Sequence, residues 1–141
     1  MTHNSELSER LAVLATMELF ADFSDDQLQR VVNLSERRSF GTGDVIVDQG
    51  DTGVECFVIE EGRASVYVRG EYVATSGRGS MIGEMALVDH RPRTATVVAD
   101  TDLLAMRFDS KAFRLLLEEM PKASERVFAT LRERLERLSE L

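Results

Sequence analysis

The period of apolar and polar positions changes twice along the chain. Between residues 6 and 19, Leu7, Leu11, Leu14, Met17 and Leu19 recur at near-helical spacing, which predicts a helix. Ser24-Asp25-Asp26 then caps a second short helix with Leu28, Val31 and Val32 on its apolar side. From about 36 to 108 the pattern shortens. Val45-Ile46-Val47, Cys56-Phe57-Val58-Ile59, Ala64-Ser65-Val66-Tyr67-Val68 and Thr94-Ala95-Thr96-Val97-Val98 are β-branched or aromatic-rich runs, punctuated by glycines. Such spacing predicts an antiparallel sandwich or barrel of the jelly-roll kind. Glu60-Glu61-Gly62 and Arg69-Gly70-Glu71 read as hairpin turns.

Helical spacing then returns. Asp109-Ser110 opens a segment carrying Phe113, Leu116 and Leu117, and Pro121 suits the first turn of a last helix. There Phe128, Leu131, Leu135 and Leu138 form a two-heptad seam, with Arg132/Glu136 and Glu133/Arg137 paired outside it at i, i+4. The seam serves either packing within the domain or a homodimer. The expected fold is α+β and a single domain over 1–141. N-terminal helices fill 1–35, an antiparallel β jelly roll (a double-stranded β-helix) fills 36–108, and two C-terminal helices fill 109–141.

Composition narrows the function classes. With 43% hydrophobic and 30% charged residues in 141, the chain reads as a globular domain. No apolar run approaches the roughly 18 residues of a membrane span, and the N-terminus lacks a secretory layout. A single cysteine, Cys56, forms no internal disulfide, and a cytoplasmic location is expected. It reads as buried packing next to Phe57. Acidic residues outnumber basic ones 25 to 17, for a net charge of −8, which argues against direct nucleic-acid contact. A small anion stays compatible, because one arginine and a few aimed amides override the overall field at short range. His3 and His90 are the only histidines, His90 reads as a solvated loop residue, and no metal triad or nucleophile–base pair is visible. No catalysis and no cofactor are expected.

The informative segment runs from Gly79 to Thr96. Gly83 removes a side chain where the backbone turns, and Glu84 to Leu87 would form a helical turn whose amides cradle an anion. After a loop with Pro92, a strand beginning Arg93-Thr94 offers a guanidinium fork and a hydroxyl suited to phosphate. Ionised Glu84 accepts from a sugar hydroxyl. A structural Arg93–Glu84 ion pair is the competing reading.

This stretch resembles the phosphate-binding cassette of cyclic-nucleotide-binding domains, shared by bacterial catabolite activator proteins and regulatory subunits of cAMP-dependent protein kinase. Phe40, Gly43, Ile46 and Gln49-Gly50-Asp51, with Phe57-Val58-Ile59 and Gly62, resemble the family's first strands. The resemblance implies that Arg93 pairs with a cyclic phosphate, that Thr94 donates to it, and that Glu84 binds the ribose 2′-hydroxyl. Gly83 and the amides of Met85 and Ala86 complete the cradle, while Val73 and Ala74 lie along the base. The last helix supplies a cap at Leu138-Ser139, with Arg134 near Glu84. It further implies a regulatory sensor for cAMP, with cGMP open, whose C-terminal helices move on ligand entry. The alternative is a ligand-free interaction or dimerisation module of the same fold. No helix-turn-helix follows the last helix within these residues, so the output is expected through a downstream effector domain or protein.

Overall fold

The computed structural model describes residues 2–88 and 92–140, with side chains placed for 6–88 and 92–137. Helix α1 (Thr2–Thr16) buries Val13 and Leu14. It stops short of the expected 19, because Met17 is extended and a single 3₁₀ turn (Glu18–Phe20) follows. Helix α2 (Asp25–Leu34) starts from a capping box: Gln27 N–H donates to Ser24 Oγ at 3.2 Å, and Ser24 N–H to Gln27 Oε1 at 2.8 Å.

Eight strands follow: β1 (Glu36–Phe40), β2 (Val45–Val47), β3 (Glu55–Glu61), β4 (Ala64–Val68), β5 (Glu71–Ser76), β6 (Met81–Ile82), β7 (Thr96–Ala99) and β8 (Leu103–Asp109). They form two antiparallel four-stranded sheets, ordered β1-β8-β3-β6 and β2-β7-β4-β5. The turn between β4 and β5 is Arg69-Gly70 with φ of +52° and +80°, the two-residue hairpin whose twist matches the strands. The last expected strand starts later than its residue types suggested. Arg93 and Thr94 lie in the loop before β7, where Arg93 N–H donates to Asp51 O at 2.8 Å and its carbonyl accepts from Gly50 N–H at 2.9 Å.

Strand β3 is buried on both faces, which explains why it reads as an unbroken apolar run. Phe57 and Ile59 face the second sheet with Ile46, Ala64, Val97 and Ala105. Cys56 and Val58 face the helices, where Phe108 stacks on Phe113 at 4.5 Å and Phe20 meets Phe113 at 6.3 Å. At the sheet edge Arg37 makes a forked ion pair with Glu60, 2% exposed, at 2.8 and 3.2 Å. Glu6 and Glu9 of α1 lie 3.3 Å from the same guanidinium. Its pKa is raised, first by the Glu60 hydrogen bond, so the cation that ties α1 to the sheet is held charged.

Helix α3 (Ser110–Glu118) is capped by Asp109, whose Oδ1 accepts from Ala112 N–H at 2.9 Å, and Pro121 opens α4 (Pro121–Glu140). The buried stripe of α4 is Ala123, Val127 and Leu131. Phe128 and Leu135 are only half-buried, so the seam read from the sequence splits. Leu131 belongs to the domain core, Phe128 packs against that core from its edge, Leu135 stays half-exposed, and the Leu138 side chain lies outside the described residues. Among the described residues no helix is long and apolar enough to cross a membrane. Leu131 is fully buried; Leu131→Ala lowers unfolding stability by about 2–5 kcal/mol in urea denaturation, from lost transfer energy plus the cavity left behind.

Candidate functional site

Beside the second sheet lies a cavity of about 440 Å³, within the range of small-ligand sites. Val47 and Val66 both pair with Val97, so three valines stand side by side and give it an apolar wall. Met81 and Ile82 of β6 close one end, and Ser76 adds a hydroxyl. The charged lining is Arg93, Arg134 and Arg137 against the single carboxylate of Glu84. A chain of net charge −8 thus presents a locally cationic cavity.

The turn after β6 is set by Gly83, at φ +77° and ψ 22°, which begins the 3₁₀ turn Glu84–Leu87. A side chain there is excluded twice. The conformation is left-handed, and a Cβ would stand 2.2 Å from Arg93 Nη1 and 3.1 Å from Glu55 O. Ala86 N–H is taken by Gly83 O at 3.1 Å, so its expected place in an anion cradle is filled by the turn itself. The N–H groups that begin the turn, those of Glu84 and Met85, lie outside its ladder.

Arg93 is half-buried and donates to two backbone carbonyls: Nη2 to Glu55 O at 2.5 Å and Nη1 to Gly83 O at 3.3 Å. Among the described residues it makes no ion pair. Burial pulls its pKa down, partly offset by the nearby fields of Cys56, Glu55, Glu84 and Asp51. Among the described residues its hydrogen-bond acceptors are backbone carbonyls, with the carboxylates of Asp51, Glu55 and Glu84 acting on it through space. The Cys56 thiol beneath it is pushed up to about 12, mainly by burial, and stays protonated at neutral pH. That agrees with packing, not redox chemistry.

Glu84 pairs with Arg134 of α4, not with Arg93, so the competing ion-pair reading of Arg93–Glu84 is overturned. Arg134 Nη1 donates to Glu84 Oε1 at 2.5 Å, with side chains 42% and 20% exposed. The last helix is thereby bonded to the wall of the cavity. Of the other expected residues, Gly83, Met85 and exposed Thr94 line it as well. Val73 and Ala74 do not. They lie on the exposed edge strand β5, and β2, β4 and β7 supply the wall in their place. The Ser139 side chain lies outside the described residues. Sequence reasoning missed Val47, Val66, Val97 and Arg137. The sequence showed the valines only as members of β-branched runs, and cross-strand pairing is what shows that they share a face. Arg137 carried no signal beyond its i, i+4 partner Glu133, 4.0 Å away.

A family model described as the cyclic nucleotide-binding domain matches residues 37–120. A cAMP-dependent protein kinase regulatory subunit from Debaryomyces hansenii is 38% identical over 103 residues, covering 72% of this chain and 23% of that protein. The type II regulatory subunit from Drosophila melanogaster is 35% identical over 99 residues, covering 70% and 26%. The chain therefore spans about a quarter of the length of these curated relatives. Among solved structures, the N-terminal domain of a transcriptional regulator from Streptomyces coelicolor A3(2) superposes with a TM-score of 0.76 at 26% identity, over 91% of this chain and 92% of that one. These agree with the jelly-roll fold described above.

Gly83→Ala lowers stability by about 1–2 kcal/mol, from the left-handed conformation alone. Denaturant unfolding measures that loss, and the guanidinium of Arg93 is displaced with it.

Proposed function

The chain belongs to the family of cyclic nucleotide-binding domains, and on that premise we propose that it binds a cyclic nucleotide as a regulatory sensor module, cAMP ahead of cGMP. The observation that carries the reading is one cavity shared by Arg93, the Gly83 turn, Glu84 and the valine wall. A cyclic phosphate would meet Arg93, the Thr94 hydroxyl and the N–H groups of Glu84 and Met85. Glu84 would accept from the ribose 2′-hydroxyl, and the purine would lie along Val47, Val66 and Val97. The names of the kinase regulatory subunits support cAMP. The base end of the cavity leaves cGMP open, since Arg137 suits a guanine acceptor edge.

Ligand entry would reposition the C-terminal helices through Glu84. That carboxylate is held by Arg134 of α4, so a ribose hydroxyl on Glu84 changes what α4 is bonded to. A nucleotide shifts the helix only by its differential affinity for the two arrangements. The half-buried Phe128 and Leu135 on α4 offer a homodimer contact, and the downstream effector would read the same helix. This function is binding, with no catalytic step.

One observation favours the alternative of a ligand-free interaction module. Both Arg93 and Glu84 already have partners within the chain. Calorimetric titration separates the two readings. Binding of cAMP with a Kd below roughly 1 mM is expected, and silence toward both cAMP and cGMP sinks the proposal. Arg93→Glu is expected to abolish binding; if it leaves affinity and thermal stability unchanged, the cavity has no anion role. Arg134→Gln should cost at most about 1 kcal/mol of stability, as a partly exposed pair. Yet it should speed amide hydrogen exchange in α4 and blunt the change in exchange that cAMP causes there.

A further inference from the structure

Arg93 is held from two sides by glycines, and only one of them belongs to the turn that lines the cavity. The other is Gly53, in the loop between β2 and β3. It is buried, and a Cβ on it would stand 3.1 Å from both Cζ and Nη1 of Arg93 and 3.2 Å from its Nε. The three nearest atoms to it all belong to that guanidinium group. Gly53 does not line the 440 Å³ cavity itself, but it lines a smaller hollow beside it with Gly83, Met85, Pro92, Arg93 and Thr94. It is not among the glycines of positive φ, so its backbone imposes no need for glycine.

The surrounding loop grips the arginine at other points. Gly50 N–H and Asp51 O bond the backbone of Arg93 at 2.9 and 2.8 Å, and Thr52 bridges Pro92. Three residues further on, Glu55 O takes Nη2. With the backbone of residue 93 fixed and its fork tied to Glu55 O and Gly83 O, the guanidinium plane has one place to lie. That place exists because position 53 carries no side chain.

We propose that Gly53 is a positioning residue for Arg93, its missing Cβ reserving the space in which the guanidinium is aimed into the cavity. The inference rests on the cyclic-nucleotide reading for its effect on affinity, but the aim of Arg93 is observable without ligand. The distances of 3.1–3.2 Å are tight enough to push a flexible side-chain end aside, and too long to break the backbone. Alanine at an unstrained glycine also restricts the unfolded chain, which offsets any loss of packing. A purely structural glycine would behave in the opposite way, losing stability first.

The test is Gly53→Ala in the full chain, read by three measurements. Guanidinium NMR signals of Arg93, assigned by their loss in Arg93→Lys, should shift in the ligand-free protein. The Tm should hold or rise. Affinity for cAMP should fall roughly ten- to hundredfold, the loss expected when a charge-assisted hydrogen bond is misaimed. In the Arg93→Lys background, Gly53→Ala should cost no further affinity, because lysine places no fork there. Unmoved Arg93 signals with wild-type affinity overturn the proposal, and so does a fall in Tm that accounts for the lost binding. If the wild-type protein binds neither cAMP nor cGMP, the functional reading fails by itself. The guanidinium signals then decide the positioning claim, shifted supporting it and unshifted overturning it.

Discussion

Strand β3 packs one face against the second sheet and the other against the helices, so its backbone polar groups are met by its neighbours β6 and β8. Burial on both sides requires apolar side chains in succession, which Cys56-Phe57-Val58-Ile59 supplies. The rest of the molecule is placed from this strand. The helices cover Cys56 and Val58, the second sheet covers Phe57 and Ile59, and the carbonyl of Glu55 at its start reaches out to hold Arg93. A core strand thus doubles as the floor of the site. The register of β3 against β6 also fixes where Gly83 turns, one residue after Ile82 pairs with Phe57.

The chemistry of the site follows from how its charge is left. A guanidinium that is half out of water and bonded to carbonyls keeps its charge without neutralising it. Glu84, by contrast, is already paired, and its partner sits on α4. One side of the cavity therefore carries a cation bonded to carbonyls, while the other is tied by Glu84 to the last helix. The helix is only partly committed to the core, with Val127 and Leu131 buried, Phe128 packed half-buried against them and Leu135 half-exposed.

Much of this was written in the order of residues. The capping box at Ser24 and Gln27, the Arg69-Gly70 hairpin, the Asp109 cap and the start of α4 at Pro121 are local events, decided by side chains within a few positions of the backbone they shape. The two-sided burial of β3 was visible as an unbroken apolar run. So was the cluster Gly83, Glu84, Arg93 and Thr94, because its residue types have few other reasons to occur at that spacing. Nucleotide-type chemistry in an acidic chain could be read from those positions.

What the tertiary structure decided was which distant residues meet. Local sequence favours a strand at Thr94, yet the backbone of Arg93 is held in a loop by Gly50 and Asp51, some forty positions earlier. It also moved the wall of the cavity from Val73 and Ala74 to Val47, Val66 and Val97, since cross-strand register, not residue type, sets which side chains share a face. Glu84 was given Arg134 as its partner, fifty residues away. Local propensity is short-ranged, whereas pairing across sheets and helices depends on how the whole chain closes. The sequence by itself determined the elements and the chemical character of the site; only folding decided which carbonyls hold the arginine and which helix pairs with the glutamate.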